Sequence, residues 1–240
     1  MPNTFPADGN VGIGTVSPEK PLHLRADGAS GGSSNARIVI ENGLGHKWFL
    51  NTFSGRNQFS IGRVGGANDI NIDGDGNVGI GTTQPNERLE VNGNILATGD
   101  VKLAGGDCAE DFDIEGAALL EPGTVVVIGE CERLKQCCEA YDRRVAGVLS
   151  GAGALRPGIV LDSRSAREHR RPVALSGKVY CRVDATYAPI EAGDMLSTSR
   201  TPGHAMKACD AGRAFGAVLG KALRPLVSGR GLIPILVCLQ

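Results

Sequence analysis

Aromatic side chains are scarce in this sequence of 240 residues, which contains six Phe, three Tyr and one Trp. The net charge of −1 leaves no overall field that would favour nucleic acid or an anionic membrane surface. No apolar run approaches the roughly 20 residues that a membrane-spanning helix needs. The composition therefore predicts neither nucleic-acid binding nor membrane insertion.

Signals for secretion and for metal binding are also missing. The first ten residues lack the basic segment and the apolar core of a signal peptide. The seven cysteines are irregularly spaced, with Cys137 next to Cys138, so that neither a zinc pattern nor a disulfide framework results. The four histidines are scattered along the chain. We expect a protein that is made in the cytoplasm with reduced thiols, and no metal site or cofactor.

Glycine, by contrast, is abundant: it supplies 35 residues, about twice its usual share of roughly 7%. The heptapeptide GNVGIGT occurs twice, and residues 8–24 (DGNVGIGTVSPEKPLHL) align without gaps on residues 75–91 (DGNVGIGTTQPNERLEV). Each copy predicts a turn, a short strand, a loop with proline and a second apolar strand. Alternating apolar residues and Asn-Gly or Asp-Gly turns predict further strands between the copies.

The first 104 residues contain few bulky side chains from which to build a core. A single chain would bury too little surface to offset an ordering entropy of about 1–2 kcal/mol per residue. We therefore expect identical copies to complete one another's interior, with glycine allowing three backbones to approach closely around an axis. The alternative is a small monomeric β-sandwich with its glycines in loops.

A family resemblance supports the first of these two interpretations. The stretch GNVGIGTTQPNERLEVNGNI, at residues 76–95, resembles a segment of phage tail fibres and related surface fibres, where it commonly precedes a C-terminal maturation domain. The resemblance implies an interwoven, homotrimeric β-structure. We accordingly predict that residues 1–104 form a β-fibre or shaft segment.

The second half of the sequence predicts a different β-domain. From residue 105 to residue 240, strand-like runs recur at intervals of roughly 8–12 residues, and Pro-Gly pairs mark turns. Few stretches show the 3.6-residue period of a helix. The fold class that we predict is all-β, with an interwoven trimeric fibre segment followed by a compact, β-barrel-like C-terminal domain.

The run GGDCAEDFDI, at residues 105–114, and the later stretches LEPGTVVVI, RRVAGVLS and GDMLSTS resemble the self-cleaving maturation domain of phage appendage tailspikes. That domain is an intramolecular chaperone that assembles the trimer. The resemblance implies cleavage of the Gly106–Asp107 bond, with Asp107 and Glu110 as the required carboxylates. Two carboxylates held close together share a proton and can divide acid and base roles. A spacing of three puts them on opposite faces of a strand, so that a bend or a neighbouring chain must bring them together.

Gly106 departs from the resembled motif, which often has a hydroxyl residue before the aspartate. Without that hydroxyl, direct attack by water is the remaining route to cleavage. In the alternative interpretation, Asp107 and Glu110 are hydrogen-bonded turn residues where the domain begins. Three hypotheses result: a structural fibre or spike whose C-terminal domain nucleates the trimer, the same architecture cutting itself, and a receptor- or glycan-binding tip.

A basic cluster in residues 163–171 contains Arg164, Arg167, Arg170 and Arg171. Such a cluster is either a solvated loop or a contact for an anionic glycan or a neighbouring subunit. The partners that we expect are two further copies of the chain, other tail or baseplate proteins, and a cell-surface glycan or protein receptor. The expected location is the exterior of a virion or phage-tail-like particle.

Overall fold

The computed structural model describes residues 9–26, 36–53, 57–66, 68–163 and 169–239. Strands make up 45% of the structure and helices 3%, which confirms the predicted all-β class. The chain separates into two compact units, Met1–Asp100 and Val101–Gln240. The predicted division between residues 104 and 105 lies a few residues further along the chain.

The N-terminal unit contains eight strands, which form two sheets. Their bounds are β1 (Val11–Ile13), β2 (Leu22–Leu24), β3 (Arg37–Glu41), β4 (Lys47–Thr52), β5 (Phe59–Arg63), β6 (Asn68–Ile72), β7 (Val78–Ile80) and β8 (Leu89–Val91). β1 pairs with β2, and the other six form one sheet in the order β3-β4-β5-β6-β7-β8. Neighbours from β3 to β7 are antiparallel, whereas β8 returns parallel to β7.

The two copies of the repeat fold in the same way. In each, the strand that contains the central glycine pairs in parallel with the second strand of the copy, in the same register. The backbone hydrogen bonds correspond as well: Val11 N donates to Pro21 O at 2.7 Å, and Val78 N donates to Arg88 O at 2.9 Å. The sequence repeat is therefore a structural unit of strand, loop and parallel strand.

Contacts within the chain account for the central glycine of each repeated segment. A Cβ at Gly12 would lie 2.5 Å from Thr15 O, and one at Gly79 would lie 2.4 Å from Thr82 O. Gly81 has a φ of 71°, in the left-handed region that favours glycine. The turn after each short strand folds back onto that strand, which requires glycine at positions 12 and 79 within one chain. The expected approach of three backbones around an axis stays a prediction.

The C-terminal unit contains ten strands and two short helical segments. The strands are β9 (Asp107–Asp113), β10 (Val125–Ile128), β11 (Leu134–Gln136), β12 (Val145–Leu149), β13 (Pro157–Leu161), β14 (Arg170–Asp184), β15 (Met195–Thr198), β16 (Ala205–Lys207), β17 (Val218–Ala222) and β18 (Arg230–Cys238). A 3₁₀ turn covers Ala117–Leu119, and α1 covers Ala211–Ala214.

Five of these strands close into a barrel, as the sequence predicted. The path of pairings runs β14-β16-β15-β17-β18 and returns from β18 to β14. Branched and straight-chain aliphatic residues fill its core, and the fully buried ones include Val179, Val183, Leu196, Leu219 and Ile235. Because successive side chains of a strand point to opposite faces, side chains two residues apart lie on the same side of each strand.

The 15-residue strand β14 joins the barrel to the region of the predicted cleavage site. Its second half pairs with β18 in the barrel wall, and its first half pairs with β9. A second, smaller core lies beside the first half and includes Ile114, Val126, Leu149 and Val173. The folding of the barrel therefore fixes the strand against which Asp107 rests.

Candidate functional site

The predicted scissile bond lies where β9 begins, between β13 and β14. β9 runs parallel to β13 and antiparallel to β14, with Pro157 and Gly177 opposite Asp107. Gly177 has a φ of 102°, and a Cβ there would lie 2.7 Å from Gly106 O. Glycine at this position therefore allows β14 to approach the Gly106–Asp107 bond closely.

The carboxyl group of Asp107 is buried, and the residue is only 5% exposed. Its Oδ1 accepts a hydrogen bond of 3.0 Å from Ser150 Oγ, whereas Oδ2 is buried without a hydrogen-bond partner among the described residues. Burial raises the pKa of Asp107 above its ordinary value, and the hydrogen bond from Ser150 offsets part of that rise. Asp107 therefore retains its proton to higher pH than an exposed aspartate and has one oxygen available to a reacting group.

Backbone hydrogen bonds hold the peptide group of Gly106. Gly106 N donates to Arg156 O, and Gly106 O accepts from Lys178 N, each at 2.8 Å. Attack on this bond would place negative charge on Gly106 O, and the Lys178 N–H is one donor for that charge. A Cβ at position 106 would lie 2.7 Å from Lys178 O and 3.3 Å from the Leu155 side chain. A hydroxyl residue at position 106 therefore has no room unless its neighbours shift.

Glu110 lies on the opposite face of β9 from Asp107. Burial alternates along the strand: Asp107, Ala109 and Asp111 are buried, whereas Cys108 and Glu110 are half-buried. The pairing irregularities next to β9 lie in β13 and β14, so that β9 itself makes no bend. Within one chain, the two predicted carboxylates are not brought together.

Two buried polar residues of this region, Ser150 and Asp111, were not predicted from the sequence to be site residues. Ser150 contacts Asp107 across 43 residues, and no local motif surrounds it. Asp111 shares the buried face of β9 with Asp107, is 4% exposed, and has an Oδ2 without a partner among the described residues. The alternation of β9 gives a signal for Asp111, because residues 107, 109 and 111 must share one face.

Arg170 is committed to the fold of the C-terminal unit. Its Nη2 donates to Asp162 Oδ2 at 2.7 Å and to Asp111 O, and its Nη1 lies 3.5 Å from Asp113 Oδ2. The side chain is only 11% exposed. It ties the beginning of β14 to β9 and to the segment that follows β13.

The other predicted anion-binding arginines differ in position. Arg171 is exposed, and its Nη2 donates to Ala117 O at 3.4 Å. Arg164 and Arg167 lie outside the described residues. Of the two arginines that the structure describes, Arg171 is the one that presents its side chain to solvent.

Within the described ranges, no group of three or more His, Cys, Asp or Glu side chains is arranged to hold a metal ion. All seven cysteines are free. None of the described helices is long and apolar enough to cross a bilayer.

One face of the six-stranded N-terminal sheet is apolar and partly exposed. Residues paired directly across neighbouring strands share a face. We call this surface the apolar face, and the pairings assign to it Ile38, Ile40, Trp48, Leu50, Phe59, Ile61, Ile70, Ile72, Val78, Ile80, Leu89 and Val91, together with the polar residues Thr52 and Arg63. Seven of the apolar residues are more than a third exposed, from 37% for Ile72 to 62% for Ile40.

The opposite face of the same sheet is covered over β4 to β6, mainly at polar residues, and is exposed at Val39 on β3. Asn51, Ser60 and Asn71 are fully buried there. Asn71 Nδ2 donates to Thr82 O at 2.8 Å, so that the segment between β7 and β8 lies against this face. Among the described residues of the N-terminal unit, Phe49 is the one large hydrophobic residue that is buried. Polar side chains and Phe49 are therefore covered on this face, whereas much of the apolar face is exposed.

Comparisons with known proteins found neither a matching family model nor a matching curated protein. Among solved structures, the chain is similar to the crystal structure of the pre-mature bacteriophage phi29 gene product 12, with a TM-score of 0.45 and 16% identity over 71% of this chain. It is also similar to the C-terminal fragment of that gene product, with a TM-score of 0.38 and 16% identity over 55% of this chain and 100% of the fragment. The chain spans 24% of the length of the pre-mature gene product 12 chain.

Proposed function

We propose that the protein is a homotrimeric fibre or spike component of a phage or phage-tail-like particle, in which three apolar faces enclose the axis. The apolar face of the N-terminal unit is the observation that carries this proposal. The resemblance of residues 76–95 to tail-fibre segments supplies the type of particle and the number of chains. In this role the protein acts on the exterior of the particle, beside other tail or baseplate proteins.

The energetics favour covering the apolar face. Soluble monomers rarely expose a contiguous apolar patch larger than a few hundred Å². Fully burying one large aliphatic or aromatic side chain contributes about 1.5–3 kcal/mol, so covering the exposed fractions of the seven most exposed apolar members is worth on the order of 6 kcal/mol per chain. Copies of the same face are a suitable cover, because each copy presents an apolar surface of the same extent.

The C-terminal unit suits a nucleating role because it has a core of its own. Its closed barrel buries many aliphatic side chains within one chain, so its folding does not require the apolar face. In the assembly that we propose, folded C-terminal units associate first and raise the local concentration of the three N-terminal sheets. The sheets then cover one another's apolar faces.

The mass in solution tests this proposal. Light scattering of the full chain should give three times the chain mass of 24.9 kDa. Ile40→Lys, on the apolar face, should lower the mass towards that of one chain, because it would bury a charge in the interface. Val39→Lys is the matched control, since Val39 is 49% exposed and lies on the opposite face, across from Phe49.

Two outcomes would contradict the trimer. One is a folded wild-type chain that keeps a mass of 24.9 kDa at all concentrations. The other is equal loss of mass in Ile40→Lys and Val39→Lys, because the apolar face would then have no special part in assembly.

Self-cleavage before Asp107 is a second candidate function, and the state of the Asp107 carboxyl favours it. In a hydrolysis, the water oxygen bonds to the Gly106 carbonyl carbon while the Glu110 carboxylate takes up one of the water protons. The bond from that carbon to Asp107 N breaks, and the leaving nitrogen takes the proton of the Asp107 carboxyl. A carboxyl that keeps its proton to higher pH suits the donation of that proton. An aspartate carboxyl can reach its own backbone nitrogen.

Glu110 then acts from a neighbouring chain, because it lies on the other face of β9. Denaturing electrophoresis should show pieces of residues 1–106 and 107–240, and neither Asp107→Asn nor Glu110→Gln alone should be cut. When the two variants are coexpressed, chains with Glu110→Gln should be cut again, since the Asp107→Asn chains supply the missing glutamate. A single full-length wild-type band at every pH would remove this function, and failure of the mixed trimers would remove the role of a neighbouring Glu110.

A further inference from the structure

The contact between Ser150 and Asp107 is the most specific polar contact at the predicted bond. Ser150 follows β12 directly and is 5% exposed, like Asp107 itself. Its backbone N donates to Pro172 O at 2.8 Å, which anchors the residue to β14. Its hydroxyl donates to Asp107 Oδ1 at 3.0 Å. Ser150 is thus held by the sheet, with its hydroxyl directed at the carboxyl group.

The cationic side chains around Asp107 do not hold its carboxyl group. Arg156, ahead of β13, uses its Nη1 for the carbonyl oxygens of Gly151, Gly153 and Leu155. Lys178, on β14, is exposed. Among the described residues, neither cation forms a recorded ion pair with Asp107. The Ser150 hydroxyl is therefore the group that orients the carboxyl.

We propose that Ser150 is a positioning residue, which fixes the Asp107 carboxyl so that Oδ2 is the oxygen presented to the Gly106–Asp107 bond. The catalytic part of this inference rests on the proposed self-cleavage. The hydrogen bond by which Ser150 holds the carboxyl does not rest on self-cleavage, because it is a property of the folded unit. Position 106 has no hydroxyl, and the hydroxyl nearest in role is that of Ser150, at the end of β12. It orients the Asp107 carboxyl and does not act as a nucleophile.

Loss of the Ser150 hydroxyl should change the pKa of Asp107 in a direction that the structure fixes. Burial raises the pKa of Asp107, and Ser150 opposes that rise. Ser150→Ala should therefore raise the pKa further, because the charged carboxylate loses a hydrogen-bond donor. A cut that needs protonated Asp107 should extend to higher pH by the same amount, while its maximal rate falls about tenfold because the carboxyl is less well oriented.

Two measurements on the full chain test the proposal. The first is the pH profile of cleavage for wild type, Ser150→Ala and Ser150→Thr, where threonine keeps the hydroxyl and should restore the wild-type profile. The second is the urea unfolding of wild type and Ser150→Ala at pH 7 and pH 3, each also in an Asp107→Asn background. The stability lost with Ser150→Ala should be larger at pH 7, where Asp107 loses the donor to its charged form. In the Asp107→Asn background the loss should not depend on pH.

Each outcome decides one part of the inference. A shifted pH profile of cleavage, together with a stability loss from Ser150→Ala that is larger at pH 7 than at pH 3, supports the positioning role. The same pH-dependent stability loss in a wild-type chain that stays whole at every pH supports the holding of the carboxyl and overturns self-cleavage. Equal losses at pH 7 and pH 3 overturn the holding of Asp107 by Ser150, whether or not the chain is cut. A slower cut with an unshifted profile overturns the positioning role, because a merely structural serine would give that result.

Discussion

Replacement of Asp184 by Asn should weaken the barrel and remove part of its sensitivity to acid. Asp184 is the last residue of β14 and is fully buried. Its Oδ1 accepts hydrogen bonds from Thr186 N and Thr186 Oγ1, at 2.9 and 2.5 Å. Its Oδ2 accepts from Thr201 Oγ1 at 2.6 Å and from Arg230 Nε at 3.1 Å. One carboxylate thus connects β14, the turn that follows it, the segment after β15 and the beginning of β18.

The size of the acid effect follows from the pKa of this group. Burial raises the pKa of Asp184, but the hydrogen bonds from Thr186, Thr201 and Arg230 outweigh burial and lower it from 3.8 to about 2. The folded state therefore binds the proton less tightly than the unfolded state does. The stability that results is fully present above pH 3.8 and is lost as the pH falls through about 2. At about 1.4 kcal/mol per pKa unit, it amounts to roughly 2–3 kcal/mol.

Urea unfolding at pH 6, 4, 3 and 2 measures this contribution. Asp184→Asn should cost about 2–3 kcal/mol at pH 6, because its amide NH₂ faces groups that are themselves donors. The gap between wild type and variant should narrow towards pH 2, as wild-type Asp184 takes up its proton. Glu130→Gln, at an exposed position, is the control and should leave the wild-type profile unchanged. A gap that stays constant from pH 6 to pH 2 would refute the reasoning.

Two further substitution pairs test the packing on which the fold and the site depend. Gly79→Ala should destabilise the N-terminal unit by about 1–3 kcal/mol in thermal unfolding, because its Cβ would meet a backbone oxygen, whereas Gly43→Ala, with open space around it, should change stability little. Arg170→Ala should lower the unfolding midpoint of the C-terminal unit by the equivalent of about 1–3 kcal/mol, while exposed Arg171→Ala should stay within about 0.5 kcal/mol of wild type. Equal effects within either pair would contradict the assignment of buried and exposed roles.

Local patterns in the sequence were sufficient for the fold class and for the repeat. Period-two alternation predicted strands, and the duplicated GNVGIGT segment predicted two equivalent units, both of which the structure contains. The same alternation placed Asp107 and Glu110 on opposite faces of one strand, because facing depends only on residues a few positions apart.

Contacts between distant residues were beyond the reach of such patterns. Ser150 meets Asp107 only because β12, β9 and β14 come together in the folded unit. The burial of Arg170 depends on Asp162 and Asp113, which lie in other segments of the chain. The intrachain reason for Gly12 and Gly79 was missed for the same reason, since the turn that folds back onto each short strand is visible only in three dimensions.

The arrangement around Gly106 and Asp107 would make the proposed self-cleavage depend on folding. In an unfolded chain Asp107 is an ordinary exposed aspartate, and Gly106 O faces water. Only the folded C-terminal unit buries the carboxyl and raises its pKa, places Ser150 Oγ at 3.0 Å from Oδ1, and brings Lys178 N to 2.8 Å from Gly106 O. Each of these partners comes from an element other than β9, and β14 supplies the Lys178 contact while also forming part of the barrel wall. A cut that requires the buried carboxyl and both hydrogen bonds would therefore wait until the C-terminal unit has folded, and one that also requires Glu110 of a neighbouring chain would wait until the chains have assembled.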